Sequence, residues 1–213
     1  MAREKAEFLL KYRFIDKNQP VLCAFGEIDC RVHVLRQAEK RGGDFRPVVD
    51  EIASCYLEFL KYLAREHQVY VWGAVPSQSD TNKIDVNFPR YGTEIQRNLA
   101  TEYFNGTMKN ICNEHGFKFV SIFSSLIDSN YRTKREYIAD GCHLSQKAWE
   151  FAIPEFMKHG INVEVEIISK ESEKKRSIFQ RCKRRIFRIF QIGARCKAIL
   201  RYYAVKTHLY MRC

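Results

Sequence analysis

No two of the eight cysteines stand in a CxxC pair, and their spacing fits no zinc template. That sets a structural zinc module aside, and nothing else in the chain implies a metal or a cofactor. Cys23, Cys55 and Cys112 fall in predicted strand or helix interiors, where a free cysteine acts as a small hydrophobe. A reducing cytoplasm is the expected compartment. A signal-peptide pattern is lacking too, because "MAREKAEFLLKYRF" is charged throughout. Uncharged stretches such as "QVYVWGAVPSQS" are too short to span a bilayer. There is no internal repeat and no low-complexity linker.

What is present is unevenly distributed. The net charge of +11 resides in the last part of the chain. Residues 170–213 hold fourteen Lys/Arg against two Asp/Glu, and the first 169 residues hold 22 against 23. The reading is therefore a domain over 1–169 and a basic tail over 170–213. Any argument from charge toward nucleic acid or membrane rests on the tail alone. The domain, at 46% apolar residues for the whole chain, has the material for a packed core.

Residues 2–14 read as a short amphipathic helix. Pro20 opens a strand, Val21 to Phe25, and a charged loop follows, broken by Gly42-Gly43. Asp44 and Pro47 mark a helix start. Val49, Ile52, Tyr56, Phe59, Leu60 and Leu63 then recur at helical spacing to about Glu66. "QVYVWGAV" is apolar nearly throughout, as a strand covered on both faces is. Thr93 and Gln96 form a capping-box pattern for the next helix, which ends near His115-Gly116. "FKFVSIF" is a third strand, and Ser145 can cap a helix interrupted or ended near Pro154. "INVEVEI" alternates and reads as a half-exposed edge strand. Alternating strands and helices predict an α/β domain with a parallel sheet and helices on both faces. Sites in such sheets lie beyond the carboxyl ends of the strands. Those ends are "GEIDCR", "PSQSDTN" and the loop after "SIF".

Two stretches carry candidate chemistry. In "DGCHLS", Asp140 precedes His143 by three residues, just before a helix. A carboxylate close to an imidazole holds its tautomer and stabilises the imidazolium. An imidazole titrates near ~6.5, which suits a general base. The plainer alternative is a turn-capping Asp140 and a surface His143. In "FGEIDCR", Gly26, Glu27, Asp29 and Arg31 crowd a strand end. They either face a substrate or pair with one another to order the loop.

"DGCHLS" late in the domain, "FGEID" earlier and "VWGAVPS" between them resemble the SGNH (GDSL) hydrolase superfamily over about residues 5–157. The resemblance implies a flavodoxin-like three-layer α/β/α sandwich and a serine esterase acting on acylated small molecules, glycans or lipids. It implies acid and base roles for Asp140 and His143. Gly26 and Asp29 match the glycine and aspartate of the family's Gly-x-Asn-Asp element, and its oxyanion-binding asparagine falls on Ile28, which cannot donate. Arg31 or a backbone N–H would then assist, since guanidinium suits a substrate carboxylate or phosphate. No Gly-Asp-Ser nucleophile motif occurs in the chain. The resemblance thus covers the carboxyl-terminal two-thirds of the family domain, with its first strands missing. "VLCAF" at 21–25 would be an exposed edge open to pairing. A fragment, a truncated gene copy and half of a two-chain enzyme are the accounts left open. Ser121, Ser124 and Ser125 have no claim to the nucleophile's place from family position.

In the "VPSQSDTN" segment, Asp80, Asn82 and the serines fit turn chemistry better than a substrate contact. Asn105 opens a formal glycosylation sequon inside a predicted helix and is discounted. The tail, placed on a helix, gathers Ile178, Cys182, Ile186, Ile189, Gly193, Cys196, Leu200 and Tyr203 into one stripe. A basic amphipathic helix of this kind can lie on an anionic membrane surface. Nucleic acid is the lesser reading, since no nucleic-acid module is visible. Docking on the domain and a tail without structure remain alternatives. The expectation is a cytoplasmic protein with peripheral membrane contact through 170–213.

Overall fold

The computed structural model describes residues 18–82, 89–139 and 143–161, and the backbone of 163–164 and 191–192. The expected helix at 2–14, Asp140 and nearly all of the tail lie outside the described residues.

Three strands form the central sheet: β1 (Val21–Ala24), β2 (Val69–Trp72) and β3 (Lys118–Val120), in the order β1-β2-β3 and all parallel. Val21 pairs with Val69, Ala24 with Trp72, and Trp72 in turn with Val120. β1 is thus the end of this sheet among the described residues. All four residues of β2 are buried, which explains its unbroken apolar run.

The pleat sends alternate residues to two cores. Val21, Cys23, Val69 and Val71 face one, and Leu22, Tyr70 and Trp72 face the other. On the first side pack α1 (Val34–Lys40), α2 (Arg46–Leu63) and α3 (Glu94–His115). On the second packs α4 (Trp149–Lys158), where Phe156 stacks on Trp72 with centroids 5.1 Å apart. Two successive crossovers that step the same way across a parallel sheet put both of their helices on one face. The result is the three-layer α/β/α arrangement expected from the alternation of elements.

Local chemistry accounts for the helix ends. Asp44 Oδ1 accepts the Arg46 N–H at 3.0 Å, and Pro47 occupies the first turn of α2, where no intrahelical N–H is lost. α2 buries Val48, Val49, Ala53, Phe59, Leu60 and Leu63. At about 1.5–3 kcal/mol for each large side chain, that burial far outweighs the few tenths that its β-branched residues cost the helix. α3 opens with the reciprocal Thr93–Gln96 box, at 2.9 and 3.3 Å, and closes on Gly116 at φ +73°.

Several expectations need correction. The segment after β1 is not a charged loop. It is helical from Glu27, wound as a π-helix over Asp29–His33, and continues directly into α1. Its apolar stripe, Cys30, Val34 and Ala38, is only three residues wide among six charges, so the pattern reads as loop. Ser145 makes no cap. Its hydroxyl donates to the Glu136 carbonyl at 2.8 Å, and a short 3-10 turn, Gln146–Ala148, leads into α4. Pro154 lies inside α4 and does not end it. Of "INVEVEI", only Val163–Glu164 form a described strand, β4. It pairs antiparallel with β5 (Gln191–Ile192) and does not join the main sheet. At those two tail residues the backbone is therefore strand, where the stripe suggested helix. Short extended segments satisfy their backbone groups by pairing with each other.

Candidate functional site

Gly26, two residues past the end of β1, has φ +87°, in the region that disfavours side chains. A Cβ there would sit 2.3 Å from Cε1 and 2.6 Å from Cζ of Phe104. Glycine is required both by conformation and by the close approach of α3. The chain then enters the helical turn, where the Cys30 N–H donates to the Gly26 carbonyl at 2.8 Å.

The three charged candidates of this element all have protein partners. Arg31 is only 4% exposed and donates from Nε to Glu27 Oε1 at 2.6 Å, one helical turn back. It also donates to the Pro89 carbonyl, while its own carbonyl accepts the Tyr91 N–H at 2.9 Å. Arg31 thereby ties residues 89–91 to the helix. Asp29 does not pair with Arg31. It accepts the hydroxyl of Tyr56 from α2. Burial first, then the Asp29 carboxylate, push the Tyr56 hydroxyl far above its ordinary pKa and keep it a donor. Tyr56 also stacks on Phe25, with centroids 4.4 Å apart. Cys30, packed inside the same turn, is raised far above the ordinary thiol value by burial, so it is inert.

Beyond β2 the chain runs through Gly73–Asn82 as a loop whose polar groups are held by one face of α3. Asn105 grips Ala74 twice: its Oδ1 accepts the Ala74 N–H at 2.8 Å and its Nδ2 donates to the Ala74 carbonyl at 2.9 Å. Asn98 Oδ1 accepts the Ser77 N–H at 2.8 Å, and its Nδ2 reaches the Tyr131 carbonyl and the Thr133 hydroxyl. Arg97, wholly buried, donates to Ser77 Oγ, to the carbonyls of Gln78 and Gly92, and to Asp80 Oδ1. Asp80 Oδ2 accepts the Glu94 N–H at 2.9 Å at the start of α3. Burial raises the Asp80 pKa, but that N–H and Arg97 outweigh it and hold the carboxyl below its usual range. Asp80 thus serves the turn. Asn105 is a buried helix residue, in keeping with the discounted sequon.

Beyond β3, a 3-10 turn (Phe123–Leu126) leads to a loop that returns over the same region. The Thr133 hydroxyl donates to the Ser77 carbonyl at 2.6 Å, and its N–H to Glu94 Oε1 at 2.8 Å. The candidate base follows in a narrow antiparallel turn. Ser145 N–H donates to the Tyr137 carbonyl at 2.7 Å, Ala139 N–H to the His143 carbonyl at 2.8 Å, and Ile138 bridges Leu144. His143 is exposed on that turn. Its backbone is pinned, and its imidazole is accessible to solvent. Asp140, the expected acid, lies outside the described residues, as do Gly141 and Cys142. Among the described residues no group of His, Cys, Asp and Glu could hold a metal ion. No described helix is long and apolar enough to cross a membrane.

Sequence reasoning missed Tyr56 as the partner of Asp29 and missed the polar face of α3. Glu94, Arg97, Asn98, Thr101 and Asn105 stand at positions 0, 3, 4, 7 and 11, a stripe with helical period. That stripe is visible in the sequence. Only the buried loop beneath it makes it an inward face.

No family model matches the chain, and no curated protein is significantly similar. Among solved structures, one from Streptococcus pneumonia proposed as a platelet activating factor is 16% identical, with a TM-score of 0.48. It aligns with 66% of this chain, which spans 59% of the other's length. A proposed acylhydrolase from Bacteroides fragilis is 14% identical, covers 72% of this chain and 68% of its own, and has a TM-score of 0.48. A GDSL-like lipase from Bacteroides thetaiotaomicron is 15% identical, covers 73% and 71%, and has a TM-score of 0.47. Likeness at this level carries neither membership nor activity to this chain.

Proposed function

We propose that this chain is a relative of the SGNH ester hydrolases and that His143, oriented by Asp140, is the base of a deacylation site at the carboxyl end of the sheet. The observation that carries this reading is the placement of His143. It is exposed on a pinned turn between β3 and the last described helix, three residues after Asp140. The Asp-x-x-His element stands in the same position in that superfamily. The sequential parallel order β1-β2-β3 agrees with the last three strands of the family sheet. In the proposed reaction His143 takes the proton of an attacking hydroxyl and passes it to the leaving alcohol. The hydroxyl oxygen adds to the ester carbonyl, the ester C–O bond breaks as the leaving oxygen takes that proton, and water, deprotonated by the same imidazole, then displaces the hydroxyl, which recovers the proton as the acid is released. The acyl group of a glycan or lipid is the expected substrate, with no Gly-Asp-Ser serine assigned within the 213 residues.

A second reading is a non-catalytic module of the same fold, docked on an anionic membrane through its basic tail. It is favoured by the internal pairing of Glu27, Asp29 and Arg31, which leaves none of the three charges unpartnered at the strand end. One experiment separates the two. Hydrolysis of p-nitrophenyl acetate and butyrate is followed with the full chain, His143→Ala and Asp140→Asn, and a fluorophosphonate probe reports any activated serine. Hydrolysis that falls on the order of 10³–10⁴-fold in His143→Ala supports the hydrolase. No turnover and no labelling reject it for this chain. Sedimentation with phosphatidylserine vesicles that is lost on replacing Lys183, Arg184 and Arg185 by Gln would then support the module.

A further inference from the structure

Positive charge gathers at a turn that neither reading uses. Arg90, Arg97 and Arg135 come from three separate segments and converge on Ser77–Thr81, beyond the carboxyl end of β2. Arg90 donates from Nη1 to the Ser79 carbonyl at 2.8 Å and from Nη2 to the Asp80 carbonyl at 2.7 Å. Arg135 Nη2 donates to the hydroxyls of Ser79 and Thr81, both at 3.0 Å. Arg97 lies beneath, on the Gln78 carbonyl at 2.7 Å and Asp80 Oδ1 at 2.9 Å. Most of these acceptors are neutral oxygens, which orient a guanidinium without cancelling its charge.

Asp80 is the one carboxylate in that set, and both of its oxygens are engaged. The neighbouring buried carboxylate, Glu94, is occupied by the Thr133 N–H and lies 3.6 Å from Arg132. Among the described residues Arg90, Arg97, Arg132 and Arg135 thus stand against Asp80 and Glu94, a surplus of two positive charges. Arg135 is exposed, and its Nε and Nη1 have no partner among the described residues. Nη2 is held by the two hydroxyls, and the free Nε–H and Nη1–H, on opposite edges of the guanidinium, each offer a single charge-assisted donor to an oxyanion.

We propose that the Ser79–Thr81 turn, with Arg90 and Arg135, binds a phosphomonoester group. A dianion matches the surplus of two charges. The position suits a ligand site, since it lies outside the carboxyl ends of a parallel sheet. Arg135 also begins the chain segment that pairs back to place His143. The binding does not depend on ester cleavage and is measured without it.

The test is calorimetric titration of the full chain with inorganic phosphate and with phenyl phosphate, at ~0.1 M salt, where charges more than ~10 Å away are screened. Vesicles of phosphatidylcholine, with and without phosphatidic acid, form the lipid arm. Arg135→Gln and Arg90→Gln each remove one guanidinium from the turn. The double variant Arg36→Gln, Lys40→Gln removes two charges from α1, and thus controls for net charge. The expected result is binding that weakens about tenfold or more in each of these variants and less than twofold in the control. Loss of the soluble phosphates points to a free phosphorylated ligand, and loss confined to phosphatidic acid vesicles points to a lipid headgroup. Should Arg135→Gln fail to fold, Arg135→Lys keeps the charge but not the planar set of donors that holds the turn and leaves N–H groups free, and it is expected to bind more weakly than the parent. No binding in either arm, or equal weakening in the turn-arginine and control variants, overturns the proposal.

Discussion

Replacing Gly26 by alanine tests the account of the β1 end. At an ordinary position Gly→Ala stabilises by about 0.4–1 kcal/mol through the unfolded chain. Here two costs oppose that gain. A left-handed backbone at φ +87° costs a residue with a Cβ roughly 1–2 kcal/mol. The new methyl would stand 2.3, 2.6 and 2.9 Å from Cε1, Cζ and Cδ1 of Phe104, a buried ring at the centre of the first core. Overpacking of that kind costs about 1–3 kcal/mol. The net expectation is destabilisation by about 2–4 kcal/mol, a large share of a typical ~5–15 kcal/mol. Urea denaturation followed by Trp72 fluorescence measures it, since Trp72 is buried against Phe156. A double-mutant cycle with Phe104→Leu separates the two costs. Leucine lacks counterparts of Cε1 and Cζ, so in that background the alanine should cost only about 1–2 kcal/mol, the backbone share. Additivity within ~0.5 kcal/mol would refute the clash, and a neutral or stabilising Gly26→Ala would refute both costs.

Three further outcomes follow from the same geometry. Arg97→Met should destabilise by about 3 kcal/mol in urea, because the Ser77 hydroxyl and the Gln78 and Gly92 carbonyls lose a buried donor. Asp80, 42% exposed, contributes little to that figure. The Asp80 carboxyl is held below its ordinary pKa in the fold, so its contribution is fully present above the unfolded value of ~3.9 and is lost as pH falls through the folded one. The stability gap between parent and Asp80→Asn should therefore be constant near neutrality and close in acid, as thermal midpoints measured across pH would reveal. Among the described cysteines, Ellman's reagent should modify exposed Cys55 quickly and spare Cys23, Cys30 and Cys112 until unfolding. Burial pushes the Cys112 thiol up to about 12, which leaves almost no thiolate at neutral pH. Peptide mapping of the modified sites checks it, and early modification of Cys30 would contradict the packed turn.

What could be read from the chain was whatever depends on near neighbours. The apolar runs at 21–25 and 68–75, the Thr93–Gln96 box, Gly116 and the stripe from Val49 to Leu63 all act over a few residues, and each marks an element found in the structure. The α/β class followed from their alternation. The proposed acid–base pair, Asp140 and His143, rests on a three-residue spacing, which is local too. The turn after β1 was illegible for the converse reason. Its charges looked like loop, but Arg31 is neutralised one helical turn away and Asp29 is met by Tyr56, 27 residues on. The inward polar stripe of α3 depends on a loop that returns beneath it, and the three arginines at Ser77–Thr81 lie as many as 56 residues from their acceptors. Caps and periodicity are local, so the sequence alone determined them. Which charges are buried, and what faces them, depends on contacts that exist only once the sheet and its helices have packed, and the tertiary structure decided that.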